Sequence, residues 1–234
     1  YKTLNEKSIS KTQYDLLLIG SPVNFSVRSE AATALSKNIP TICVDHGNET
    51  GTADHPSWGY DEQSYCSHFI GYGRAGVKAI NDGDYLKSLY NNNPKYIESN
   101  CSFIKNIYKS RSVVPLDKNI SQYKIAYVPT KFMGAKRLGP FLSIEDKDYY
   151  EWQKHLFHCI SKLEYKAHPK QLPDLNLENV KIVQDPIEKC ISNYDCFIID
   201  NVLSTAFANI ASTDKPIIYF NIGFGNLSKT AEAV

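Results

Sequence analysis

The sequence predicts an α/β protein made of two Rossmann-like domains facing a cleft, at 1–119 and 120–234, the first of them incomplete. Three observations predict it. Short apolar runs ending in turn residues recur along the chain, as buried parallel strands do. Segments with apolar residues three and four apart lie between them, as crossover helices do. A polar stretch, Ser110 to Asn119, separates two such series and reads as an inter-domain linker.

Asp15 to Ser21 is an apolar run closed by Gly20 and Ser21, hence a buried strand. Arg28 to Lys37 reads as a helix, with Ala31, Ala32 and Leu35 on one side and Ser26 as cap. Pro40 to Val44 is the next strand, so the three form a βαβ unit and imply a parallel sheet. After a polar, aromatic stretch at 52–66, His68 to Gly73 is a strand and turn, and Ala75 to Ile80 a helix. Asn91 to Pro94 marks a break, with no strand expected there.

The second series opens with a strand at Lys124 to Val128 and a loop from Thr130 to Arg137. Asp148 to Leu163 is the most regular helix, with Trp152, Leu156, Cys159, Ile160 and Leu163 in phase. Strands follow at Leu163 to His168 and Val180 to Val183, then a short helix at Pro186 to Ser192. A strand at Cys196 to Ile199, a helix at Ser204 to Ala211 and a strand at Pro216 to Phe220 complete a β-α-β-β-α-β-α-β order. Beyond Phe220 no closing element is evident, and residue 1 is Tyr, so the chain reads as a piece of a longer protein.

Composition narrows the function. A net charge of +1 and a pI near 7.7 give no global field toward nucleic acid or membrane, so an anion site must be local. The six cysteines include no C-x-x-C pair; small buried hydrophobes in a reduced, cytoplasmic chain are the expectation. No apolar run reaches the ~18 residues of a membrane span.

The chemistry concentrates at predicted strand ends. Tyr165-Lys166-Ala167-His168-Pro169-Lys170 closes one strand. Alternation puts Lys166 and His168 on one face, where cation and imidazole can meet a phosphate. Lys170 adds a point charge. Asp200 and Asn201 end another strand, where they can bind a hydroxyl or turn the chain. Ser204 and Thr205 begin a helix, with hydroxyls and unpaired N–H groups for an anion, or cap it. Thr130 and Lys131 open a cationic loop over the same edge. In the first half, His46 and Glu49 follow a buried strand and are the acid–base candidates. His46, Asp54 and His55 match no standard metal spacing. Gly71 to Gly76 satisfies G-x-G-x-x-G, but lacks the following strand with its acidic end that a dinucleotide site needs.

Assembled, these segments resemble a GT-B glycosyltransferase of the bacterial surface-polysaccharide type. The families are the CDP-glycerol glycerophosphotransferase-like, capsule polysaccharide and β-Kdo transferase-like ones. Tyr165 to Lys170 is similar to their His-Pro motif, and Asp195 to Thr205 to their strand, Asp, loop and Ser-Ser/Thr segment. Asp45-His46-Gly47 and Tyr127 to Thr130 resemble an amino-domain His-Gly and the donor-domain first strand. Ala167 and Asn201 depart from the residues common there.

The resemblance implies metal-independent transfer of a sugar from a CMP-, CDP- or UDP-linked donor to a glycan or lipid-linked acceptor, without cofactor. His168, Ser204 and Thr205 would bind the donor phosphate, with His46 or Glu49 acting on the acceptor. It implies a cytoplasmic place, with peripheral membrane association through segments outside this sequence. A glycerol- or ribitol-phosphate transferase, a sugar-nucleotide epimerase and a non-catalytic sugar-nucleotide-binding module remain alternatives.

Overall fold

The computed structural model describes residues 14–20, 22, 24–45, 47, 52, 62–82, 93–109, 119–132, 144–169, 180–224 and 227–229. The chain divides into two compact units: 1–101 with 227–234, and 102–226, against the boundary expected at 119/120. Both are α/β, and among the described residues every strand pairing is parallel.

The first unit carries β1 (Leu17–Ile19), α1 (Phe25–Ser36), β2 (Thr41–Val44), β3 (His68–Tyr72), α2 (Gly73–Asp82) and β4 (Lys95–Ser99). Its sheet runs β1-β2-β3-β4, in chain order. Ile19, Ala31, Cys43, Cys66, Phe69 and Ile80 form its core. Among the described residues β1 pairs with β2 alone and so is an edge strand, and with Leu18 64% exposed it is not the buried strand expected.

The start of α1 differs from expectation. Asn24, not Ser26, is the N-cap, and it makes no side-chain cap bond. The entering chain is held instead by Arg28 Nε donating to the Pro22 carbonyl at 2.6 Å. The buried helix face is Ala31 with Ala34, three apart, rather than Ala31, Ala32 and Leu35.

Asn93 and Pro94 carry no regular structure, in keeping with the break read there, but β4 was not anticipated. The strand begins directly after Pro94, with Glu98 opposite Gly71 in the parallel register. Its anchor is Tyr96, whose ring meets Phe69 edge-on and whose hydroxyl donates to Gln63 Oε1 at 2.8 Å.

The second unit begins with α3 (Ser102–Lys109), a helix the sequence reading did not anticipate, and a 3₁₀ turn at Ile120–Gln122. Then come β5 (Ile125–Val128), α4 (Asp146–Cys159), β6 (Leu163–Lys166), β7 (Ile182–Val183), α5 (Ile187–Cys190), a 3₁₀ turn (Ile191–Asn193), β8 (Cys196–Ile199), α6 (Thr205–Ala211) and β9 (Ile217–Tyr219). From β5 onward this is the expected element order.

α4 stops at Cys159, four residues before its expected end. Leu163 belongs to β6, paired with Ile125, and the chain reverses through Lys162 in the left-handed region (φ 67). The helix buries Tyr149, Gln153 and Leu156, while Cys159 is exposed.

The sheet order is β7-β6-β5-β8-β9. The chain works outward from β5 to one side, then returns to build the other. The order therefore reverses between β5 and β8, giving a topological switch point. β5 and β8 are buried along their whole length, as central strands of a covered parallel sheet must be. Ile125, Tyr127, Leu156, Leu163, Tyr165 and Ile198 are the heart of the core.

Candidate functional site

The carboxyl edge of the second sheet encloses a cavity of about 280 Å³. Val128 and Pro129, at the end of β5, form one wall, and Ser204, Thr205 and Ala206, beyond β8, another. Lys166 through Pro169 line it from the end of β6, and Pro186, Ile187 and Glu188 from beyond β7. The cavity thus lies beside the reversal in strand order, where open α/β sheets bind ligands.

The structure brings Lys166, His168, Pro169, Ser204 and Thr205 to this one cavity. β6 ends at Lys166, so His168 reaches the cavity from just past the strand, and Ala167 lines it as well. Lys166 is buried, and its ammonium donates to the Ala167 carbonyl at 2.6 Å. Burial pulls its pKa down, while Cys190, Glu188 and Asp185 act to raise it. Glu188 is itself fixed, its Oε1 accepting from Asn209 Nδ2 at 2.7 Å.

Ser204 is the N-cap of α6: its Oγ accepts from the Ala206 N–H at 3.2 Å. Accepting uses a lone pair of Oγ and leaves the hydroxyl proton to donate, so capping and donation to a ligand are compatible. Thr205 is exposed at the cavity's rim.

Asp200, Asn201, Thr130 and Lys131 do not line the cavity. Asp200 is fully buried behind it. Its Oδ1 accepts from the Thr130 N–H at 3.0 Å, and its Oδ2 accepts from the hydroxyls of Tyr127 and Tyr149. Asn201 Nδ2 donates to Thr130 Oγ1 at 3.3 Å. Lys131 is exposed. His46, Glu49 and Lys170 lie outside the described residues.

The Asp200 cluster is the part sequence reasoning missed. Gln153 Nε2 donates to the Tyr127 hydroxyl at 3.1 Å, which joins α4 to the same network. Burial lifts the Asp200 carboxyl to about 6, against hydrogen bonds from Tyr127, Tyr149 and Thr130 that pull it down. The signal available was a tyrosine inside each of two core segments, since a buried phenol needs a partner.

In the first unit, Gly71 lies within β3, and a Cβ there would meet Val77 Cγ2 at 3.0 Å. Gly73 opens α2 with a φ of +66°, and a Cβ on Gly76 would meet nothing within 4 Å. Glu98 supplies an acidic group near the end of β4, but it is exposed, and the described strands of this sheet have no reversal of order. Close strand–helix packing explains Gly71 and a tight turn explains Gly73, while nothing in the structure requires a glycine at 76. Among the described residues, no group of three His, Cys, Asp or Glu stands together to hold a metal ion, and no helix is long and apolar enough to cross a membrane.

Comparisons with protein-family models, curated proteins and solved structures give no match.

Proposed function

We propose that this chain is a glycosyltransferase of the GT-B type, whose second unit binds a nucleotide-activated sugar. The supporting observation is one cavity at the switch-point edge that gathers Lys166, His168, Ser204 and Thr205. A cation, an imidazole and two hydroxyls set in a small, mainly apolar cavity suit the phosphates of a nucleotide donor, with the Glu188 carboxylate as the one opposing charge among the described lining residues.

In this reading the reacting bond lies between the sugar's anomeric carbon and the donor phosphate. The phosphate gains charge as that bond breaks. Lys166 and Ser204 are held before the charge develops, by the Ala167 carbonyl and the Ala206 N–H, and with His168 and Thr205 beside them they favour the transition state over the ground state. The acceptor's base falls to the first unit, with His46 and Glu49 as candidates.

A thermal-shift panel of CMP, CDP, UDP and GDP tests the donor site. A ligand bound only by the native state raises Tm, by roughly 2.7 kcal/mol of stability at a hundred times Kd. At least one nucleotide is expected to do so. No shift with any of them would sink the reading.

A further inference from the structure

We propose that Asp200 is a positioning residue whose carboxylate ties together the two walls of the switch crevice, and that uptake of one proton re-pairs its network and loosens the tie. The tie stands on the hydrogen bonds around Asp200. Its effect on ligand affinity rests on the donor-site reading above.

The geometry places the bonds one residue from each wall. Asp200 Oδ1 holds the Thr130 N–H, and Thr130 follows Pro129. Asn201 Oδ1 accepts from the Leu203 N–H at 2.9 Å, and Leu203 precedes Ser204. Asn201 Nδ2 joins the two sides again through Thr130 Oγ1. The loops after β5 and β8 are therefore fastened to one another by two adjacent side chains.

The proton inventory supplies the switch. An ionised carboxylate can accept from both phenols at Oδ2. A proton on Oδ2 makes that oxygen a donor, so one phenol must turn to another acceptor. Both alternatives are in place. The Tyr149 hydroxyl already lies 3.3 Å from the Thr130 carbonyl. Gln153 Oε1 is buried with no hydrogen-bond partner, on the amide whose nitrogen meets Tyr127, so rotating that amide offers Tyr127 an acceptor. The Thr130 N–H bond then ends on a neutral acid, weaker than a bond to a carboxylate.

Among the described residues, the titratable groups shifted by the Asp200 charge are phenols: Tyr127 on β5, Tyr149 on α4, Tyr165 on β6 and Tyr219 on β9. They keep their protons at neutral pH, which leaves the carboxyl as the group that changes.

The Thr130 amide proton shift, followed by NMR from about pH 4.5 to about pH 8 on the intact chain, tests the tie. One titration centred near pH 6 is expected in the wild type, and none in Asp200→Asn. Tyr149→Phe should move the midpoint upward, because a donor to the charged form is gone. A flat wild-type shift, or the same titration in Asp200→Asn, overturns the proposal. Should Asp200→Asn not fold, an unmoved midpoint in Tyr149→Phe overturns it.

CDP affinity of wild type and Asp200→Asn at about pH 5 and about pH 7.5 tests the loosening, since their ratio cancels any titration common to both proteins and that of the ligand. The ratio should grow about fivefold toward the higher pH. A constant ratio overturns the loosening. If neither protein binds CDP, the donor-site reading has failed for this ligand, and the Thr130 titration alone decides the tie.

Discussion

The Lys166 ammonium donates to the carbonyl of its own neighbour, Ala167, at 2.6 Å, inside a buried strand end. That contact turns a flexible cation back onto the sheet edge and fixes its charge at the cavity wall. Burial disfavours the charged form, as the lowered pKa records. The lysine is thus a cost to the fold that a bound anion would offset.

The first prediction follows from that opposition. Lys166→Met keeps the stem's volume and removes the charge. Its Tm should equal or exceed the wild type's, because a desolvated cation is gone. Affinity for the nucleotide that stabilises the wild type should fall about tenfold or more, the scale of one charge-assisted bond. A clear loss of Tm would show that the Ala167 bond serves the fold instead.

His168 tests the chemistry rather than the charge alone. It lies at the same cavity, just past the end of β6, so truncation should leave the sheet intact. In the proposed transfer reaction, His168→Ala should lower turnover by roughly a hundredfold or more, as loss of one preorganised donor does. Near-normal turnover with an unchanged circular-dichroism spectrum would remove His168 from the mechanism.

The alternation of strands and helices in the second unit was legible because its central strands are unmistakable. Cys196 to Ile199 is an unbroken apolar run ended by Asp200, and a strand covered on both faces has to look like that. The convergence of His168 and Ser204 was legible for a topological reason: parallel strands put all their carboxyl ends on one edge. β4 was not legible. Its residues Lys95–Ser99 are mostly exposed, so the core imposes little pattern on them beyond Tyr96. The Asp200 network was hidden differently. Tyr127 reads as core, and its partner Asp200 is 73 positions away, a contact that only the paired strands create.

Buried phenols make stability fall in alkali. Burial, and then the Asp200 charge, push Tyr127 and Tyr149 well above the usual tyrosine value, and burial with Cys66 lifts Tyr96 to about 12. The sign is set by which state holds the protons. Above about pH 10 the unfolded chain loses phenolic protons that the native chain retains, so unfolding is favoured as pH rises. Stability should be level to about pH 10, then decline by roughly 1.4 kcal/mol per pH unit for each such tyrosine. Urea midpoints read at steps from about pH 8 to about pH 11 check this. A level profile throughout would mean that these phenols ionise in the native state.

The glycines of the G-x-G-x-x-G segment separate packing from ligand binding without any ligand. Gly71 faces α2 so closely that a Cβ would stand 3.0 Å from Val77 Cγ2 and 3.6 Å from Ile80 Cδ1. Gly71→Ala therefore makes the Val77 side chain give by a few tenths of an ångström, and should cost roughly 1–3 kcal/mol, the usual range for overpacking. Pairing it with Val77→Ala removes the nearer clash and should recover part of the loss. Gly76 lies within the same helix with open space around its Cβ position. Gly76→Ala should stabilise the chain by up to about 1 kcal/mol, from helix propensity and a less flexible unfolded state. Urea denaturation of the three variants reads both signs. Equal destabilisation at Gly71 and Gly76 would contradict the packing account, because only Gly71 has a neighbour for the added methyl to meet.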